Sequence, residues 1–265
     1  MSRIAEKFAA LRAAGERAFV PFVTAGDPDL DTTAELLLAL AENGADLIEI
    51  GIPFSDPSAD GPTIQRASER ALANGTTLRQ VLALVAKLRA QVRIPLLLMG
   101  YANPFYALGV DGFAQACAAA GVDGILCPDL PPEEGADLYG ALAKRGVDGV
   151  LMAAPTTTPE RMGMLVHNTG GFLYYVSLTG VTTARSALAG GIEEAVAAIR
   201  RCGDIPVCVG FGISRPEHAR EVARYADGIA VGSAIVNLIE GAPSKAAAVE
   251  RVAKFAREMK AALRP

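Results

Sequence analysis

The 265-residue sequence is poor in side chains that many enzymes depend on. It holds 2 His, His167 and His218, both in helical text with no Cys or carboxylate at metal-ligand spacing, which argues against a catalytic zinc. All of its lysines (Lys7, Lys87, Lys144, Lys245, Lys254 and Lys260) also fall in helical text, so none stands on a strand to form a Schiff base. Cys117, Cys127, Cys202 and Cys208 show neither a CxxC pair nor zinc-like spacing and sit in apolar or helical surroundings, as buried free thiols do. No Lys/Arg cluster with interleaved aromatics occurs and the net charge is −4, which disfavours nucleic acid and anionic membranes as partners. The longest stretch without Asp, Glu, Lys or Arg, Met162–Ala184, contains His167, Asn168 and several Thr and Gly and is too polar to span a bilayer. The segment MSRIAEKFAALRAAGER carries Glu6, Arg12 and Glu16 and has no signal-peptide h-region. These absences predict a cytoplasmic protein without a bound metal.

What is present is apolar text: 51% of the residues, enough for a large core, together with 27 Gly and 16 Pro. One phrase recurs. Helical text ends at Gly or Ala, an Asp follows within about two residues, and a short apolar run begins, as in NGADLIEIG (43–51), AGVDGILCP (120–128), RGVDGVLMA (145–153) and YADGIAVG (225–232). A short apolar run after a glycine cap reads as a strand buried on both faces. With the less stereotyped runs, strands are expected near 18–23, 46–50, 95–99, 123–127, 148–153, 171–176, 206–210 and 227–231. Amphipathic segments lie between them at 31–43, 78–92, 132–145, 159–168, 192–202 and 216–225. Eight β/α units without a linker or composition break predict an α/β fold, one (β/α)8 (TIM) barrel domain over residues 1–265; an open doubly wound sheet is the alternative. Ile4, Phe8 and Leu11 form a stripe on an extra N-terminal helix that could cap the bottom of the barrel. The gaps after strands 2 and 6 are longer than the others, and added machinery is expected there.

Within the second strand, alternation turns Ile48 and Ile50 to the helix layer and Leu47, Glu49 and Gly51 into the barrel. A core ion pair is the plain explanation for a buried Glu, but none of the eight strand segments carries Lys, Arg or His to complete one. A partly desolvated Glu has a raised pKa and suits general acid/base chemistry near neutrality. The loop that follows, GIPFSDPSADGPTIQ (51–65), carries Asp56 and Asp60 among three prolines, and either could put a second carboxylate beside the same ligand or serve only the turn. Across the chain, SLTGVTTA (177–184), VGFGIS (209–214) and AVGSAIV (230–236) are glycine-bearing turns at strand ends, the last opening a helix. Together such turns can hold a phosphate on backbone N–H groups without Arg or Lys. With no strand lysine and no metal ligands, a carbon–carbon lyase here needs a substrate that carries its own electron sink. A sugar-phosphate isomerase or epimerase is a second reading, and a barrel acting chiefly as a partner-dependent regulatory subunit, with little activity alone, is a third.

LIEIGIPFSDPSADGPTIQ (47–65), GYANP (100–104), CPDLPPEE (127–134), YYVSLTGVT (174–182) and VGFGIS (209–214), in this order, resemble the α chain of tryptophan synthase, and the similarity runs over essentially the whole chain. The resemblance implies a (β/α)8 barrel that cleaves indole-3-glycerol phosphate to indole and glyceraldehyde 3-phosphate. It also implies an α2β2 heterotetramer whose β chain uses pyridoxal phosphate to make L-tryptophan, with no cofactor in this chain. By the same motifs Glu49 would be the general acid/base and Asp60 would bind the indole N–H. Phe22, Tyr101, Tyr174, Phe211 and Thr182 would surround the substrate, Thr183, Gly212, Gly232 and Ser233 would hold the phosphate, and Pro53, Asp56, Asn103 and Asp129 would face the β chain. Two positions depart from the family pattern: Thr183 stands where GVTG is usual, and Ser58 where a bulky apolar residue is more common.

Overall fold

The computed structural model describes residues 1–177, 185–210 and 212–264, with the backbone alone for 185–190. The eight apolar runs form strands β1 (Ala18–Thr24), β2 (Ile48–Gly51), β3 (Leu96–Met99), β4 (Gly124–Leu126), β5 (Asp148–Ala153), β6 (Leu173–Val176), β7 (Val207–Gly210) and β8 (Gly228–Val231). They pair in parallel and in chain order, and β8 closes on β1 through Ala18 opposite Gly228 and Pro21 opposite Val231, so the sheet is a closed barrel rather than an open one. Helices cover its outer face, burying a continuous apolar layer that includes Ile48 and Ile50. Inward-facing Ala18, Val20, Leu47, Leu97, Leu126, Val150, Phe172, Cys208 and Ala230 fill the interior. Among the described residues no helix is long and apolar enough to cross a membrane.

The recurrent Gly/Ala–Asp phrase has a specific physical use. Several strands begin one or two residues later than the apolar text suggests, because the Asp ties its strand to the one before it instead of extending it. Asp46 donates its N–H to Phe19 O and accepts the Phe19 N–H on its carboxylate, each at 2.9 Å. Asp123 makes the same two-point contact with Leu96, at 2.9 and 2.8 Å, and Asp227 with Val207, at 2.9 and 3.0 Å. At β5 the pattern changes: the Asp148 carboxylate accepts the Ser2 hydroxyl at 2.5 Å and so anchors the N-terminal helix Arg3–Ala13. That helix buries Ile4, Phe8 and Leu11 against the interior residues and caps the bottom of the barrel, Phe8 and Phe172 lying 5.6 Å apart.

The long connection after β2 holds two helices, Pro62–Ala73 and Leu78–Leu88, and the one after β6 holds the helix Arg185–Cys202, which starts earlier than the apolar periodicity shows. The helix expected from Pro132 begins at Ala136, since Pro131 accepts the N–H groups of Glu134 and Gly135 in a turn that precedes it. The cysteines are free, as expected, and Cys117, Cys127 and Cys208 are buried.

The strand-start carboxylates are charge-matched from the surrounding helices: Asp123 by Arg89 and Arg3, Asp227 by Arg200, and Asp46 by Lys260 at 2.9 Å. Lys260, only 5% exposed, also meets Glu16 at 2.7 Å and donates to Arg17 O. Removing one partner of a buried pair leaves the other uncompensated. Lys260→Met is therefore expected to lower the unfolding free energy by about 3 kcal/mol in urea titrations.

Candidate active site

At the C-terminal ends of the strands lies a cavity of about 350 Å³. Every strand contributes to it: Phe22 from β1, Glu49 from β2, Met99 from β3, Leu126 from β4, Met152 from β5, Tyr174 and Val176 from β6, Gly210 from β7 and Ala230 from β8. Its rim is Ala59, Asp60 and Gly61 on one side and Gly212, Ser214, Gly232, Ser233 and Asn237 on the other. Among the described residues, no Lys, Arg or His lines it. A larger crevice of about 600 Å³ opens at the opposite end, beneath the N-terminal helix, but its carboxylates Glu16, Asp204 and Asp227 are engaged with Lys260, Arg12 and Arg200.

Two glycines shape the walls. A Cβ on Gly51 would overlap the ring of Phe22, and one on Gly210 would overlap the hydroxyl end of Tyr174. Each aromatic ring thus lies in a notch on the strand beside it, which holds it at the wall rather than across the opening.

Glu49 points into this space and is 3% exposed. Among the described residues it has neither a hydrogen bond nor an ion pair. Burial, with the charge of Asp60 adding to it, pushes its carboxyl up to about 8. Asp60 is half-buried; burial raises it to about 6, with the neighbouring Tyr101 hydroxyl opposing the rise. Glu49, the more buried of the two, therefore holds its proton more tightly than Asp60. Burial and the Glu49 charge likewise hold the Tyr174 phenol in its protonated form.

The loop bearing Asp60 runs into the helix Pro62–Ala73, which opens on Gly61 with Pro at its first position. This helix is locked to the far side of the cavity. Arg66 and Arg70 both reach Glu240 at 2.8 Å, at the end of the helix Ser233–Glu240. Arg70 also makes a two-pronged 2.8 Å contact with buried Asp27 in the loop after β1. The first turn of Ser233–Glu240 faces the cavity beside Gly212, whose φ of 73° is the left-handed conformation that glycine adopts without strain. First-turn N–H groups lack intrahelical acceptors, so this end of the cavity carries partial positive charge without a cation.

The expected site residues divide as follows. Glu49, Asp60, Phe22, Tyr174, Gly212, Gly232 and Ser233 are brought together around the cavity. Tyr101 is not on the wall: it lies behind the Asp60 loop, where its hydroxyl accepts the Ala59 N–H at 3.1 Å. Thr182, Thr183 and Phe211 lie outside the described residues. Asp56, Asn103 and Asp129 are exposed on the upper rim, Asp56 accepting the Ser55 hydroxyl and Asp129 the Ala102 N–H, while Pro53 is buried beneath them. Ser58 is exposed, so its small side chain leaves no gap in the packing. Ile64, Met99, Leu126 and Met152 line the cavity without having been singled out; the last three share strand parity with Glu49 and Tyr174, which is the signal that could have found them.

Fold and cavity together define a (β/α)8-barrel enzyme with two neighbouring carboxyl groups in a cavity at the C-terminal strand ends. Comparison with known proteins makes the assignment specific. The family described as "Tryptophan synthase alpha chain" matches residues 8–264. Proteins of that name from Geobacter sp. (strain M21) and Gloeobacter violaceus are 53% identical over 240 residues, covering 91% of this chain and 90% of the relative, and 52% identical over 264 residues, covering 98% and 94%. Among solved structures, the tryptophan synthase alpha chain of Legionella pneumophila superposes with a TM-score of 0.91 at 38% identity, covering 99% of this chain and 97% of that one. A chain of M. tuberculosis tryptophan synthase in an aminoacrylate-bound form gives 0.89 at 36%, with both chains covered in full. The chain belongs to the tryptophan synthase alpha chain family.

A group whose folded pKa is raised makes the native state retain a proton that the unfolded chain gives up, so stability falls with rising pH between the two values. For Glu49 that window runs from the ordinary 4.5 to about 8. Glu49→Gln is expected to unfold at higher urea than the unsubstituted protein, by up to about 3 kcal/mol at pH 7, with the difference gone below about pH 4.

Proposed function

We propose that this chain cleaves indole-3-glycerol phosphate to indole and glyceraldehyde 3-phosphate, with Glu49 as the general acid and base and Asp60 as the partner of the indole nitrogen. The observation that carries this reading is a buried Glu49 that has no counterion among the described residues and lies near a second carboxylate, in a cavity whose described lining holds no Lys, Arg or His. A Schiff-base aldolase needs an amine here, and a sugar-phosphate isomerase of the usual kinds needs a strand lysine or metal ligands. The described lining residues offer neither, whereas an indole ring provides the electron sink itself.

Protonated Glu49 delivers its proton to C3 of the indole, giving the indolenine, whose positive nitrogen Asp60 stabilises as an ionised carboxylate. The Glu49 carboxylate then takes the proton of the side-chain hydroxyl next to the ring. That oxygen's electron pair forms the aldehyde, the bond from C3 breaks, and its electrons restore the aromatic indole. Atoms and charge balance without a cofactor in this chain. Phe22 and Tyr174 flank the ring, with Phe211 and Thr182 expected nearby. The phosphate sits on the N–H groups at Gly212, Gly232 and Ser233, with Thr183 expected to close over it. The low charge of the lining is consistent with this arrangement, since the anion is met by main-chain dipoles.

Family membership implies a β-chain partner. We read the assembly as a cytoplasmic α2β2 tetramer in which the β chain, carrying pyridoxal phosphate, receives indole at the rim formed by Pro53, Asp56, Asn103 and Asp129.

The test is indole release from indole-3-glycerol phosphate, with and without a β chain. Glu49→Gln and Asp60→Asn are each expected to lower kcat by about 10²–10⁴-fold while folding normally. Near-normal indole release from both variants would refute the assignment. Activity of the unsubstituted enzyme requires ionised Asp60 and protonated Glu49, so its pH profile should be a bell with limbs near the values of about 6 and about 8.

A further inference from the structure

Tyr101 follows β3 and is 2% exposed, yet it is not part of the cavity wall. Its ring stacks on Phe54 at 5.1 Å with an interplanar angle of 26°, so it supports the front of the loop between β2 and the helix Pro62–Ala73. Its hydroxyl supports the back of the same loop by accepting the Ala59 N–H. The loop is otherwise held by local bonds: Ser58 N–H to Asp56 O, Asp60 N–H to Pro57 O, and Gln65 Nε2 to Asp60 O. Among the described residues, no other side chain from outside the loop and its following helix hydrogen-bonds to residues 53–61. A phenol oxygen that accepts from Ala59 keeps its own proton for donation, and the adjacent acceptor is the Asp60 carboxylate.

We propose that Tyr101 is a positioning residue for Asp60: one hydroxyl fixes the main chain at Ala59 and, through its proton, the aim of the neighbouring carboxylate into the cavity. This rests on the reading of Asp60 as the group that meets the indole nitrogen, and it assigns Tyr101 a role different from that of an apolar wall. Among the described residues, the titratable groups that face this pair are Glu49 from β2, Tyr174 from β6 and, on the Tyr101 side, Asp129. None carries a positive charge, so the Tyr101 proton is a principal support for the ionised form of Asp60. A hydroxyl that donates to a carboxylate favours its charged form. Removing the donor therefore moves the ionisation of Asp60 to higher pH.

The experiment uses Tyr101→Phe, which keeps the ring against Phe54 and removes the hydroxyl. In the full-length protein without ligand, ¹³C-NMR titration of the Asp60 carboxyl is expected to move up by about one pH unit. In indole release, the acid limb of the pH profile should move up by the same amount, with kcat down by about tenfold or more and KM changed by less than about threefold. The double variant Tyr101→Phe/Asp60→Asn should be no slower than Asp60→Asn alone, because a residue that acts through Asp60 has nothing to position once the carboxylate is gone. A raised KM with an unmoved acid limb would make Tyr101 a wall of the binding site and overturn the proposal. Lower thermal stability with an unmoved carboxyl titration would make it structural only and overturn it equally. Absence of indole release from the unsubstituted enzyme would instead refute the assigned reaction, and the ligand-free titration would still decide the role of Tyr101.

Discussion

A carboxylate withdrawn from water needs a partner or a proton, and the barrel meets that requirement differently at its two ends. At the bottom, Asp46, Asp123 and Asp227 each accept the N–H of the preceding strand and face a cation from a surrounding helix, and so join neighbouring strands. At the top, Glu49 stands on a strand as buried as theirs and, among the described residues, faces another acid and a phenol but no cation. The first arrangement builds a rim; the second stores an unmet demand for a proton. A (β/α)8 barrel separates stability and chemistry along its axis in this way, and here both functions use the same kind of side chain.

The cavity inherits its precision from the sheet. Each strand supplies at least one wall residue, so the positions of Phe22, Glu49 and Tyr174 follow from strand register rather than from loop conformation. Glycines do the complementary work: Gly51 and Gly210 give room for the aromatic rings of adjacent strands and so set the width of the opening. Asp60 is borne by a loop rather than a strand, and that loop is braced from several directions, by Tyr101, by its own turn bonds and by the arginines that tie the following helix to Glu240.

Much of this was legible in the residues. The eight strands and the inward face of β2 follow from short apolar runs and alternation, and Glu49 stands out because an acid on an apolar strand has no local explanation. Turn chemistry alone leaves Asp56 and Asp60 equivalent and only the family resemblance separates them; the folded loop puts Asp56 in solvent beside Ser55 and Asp60 over the cavity. The late starts of the strands escaped because the strand-start Asp looks like a cap while acting across to its neighbour. The family resemblance implies a wall role for Tyr101; its bond to a main-chain N–H 42 residues away is something no periodicity encodes. The same holds for the arginine ties to Glu240, 170 or more residues distant.

The contact between Asp46 and Lys260 joins residues 214 apart. During synthesis, Asp46 emerges and can pair with Phe19, with Lys7 at 4.0 Å, long before its closer cation Lys260 exists, so the first β-α-β segment must be held without that contact. Closing so large a loop is entropically costly, and the pair can only seal a barrel whose strands are already in order. Lys260 thus works as a latch rather than a nucleus: it does little for the rate at which the chain finds its topology and much for the rate at which the finished barrel comes apart.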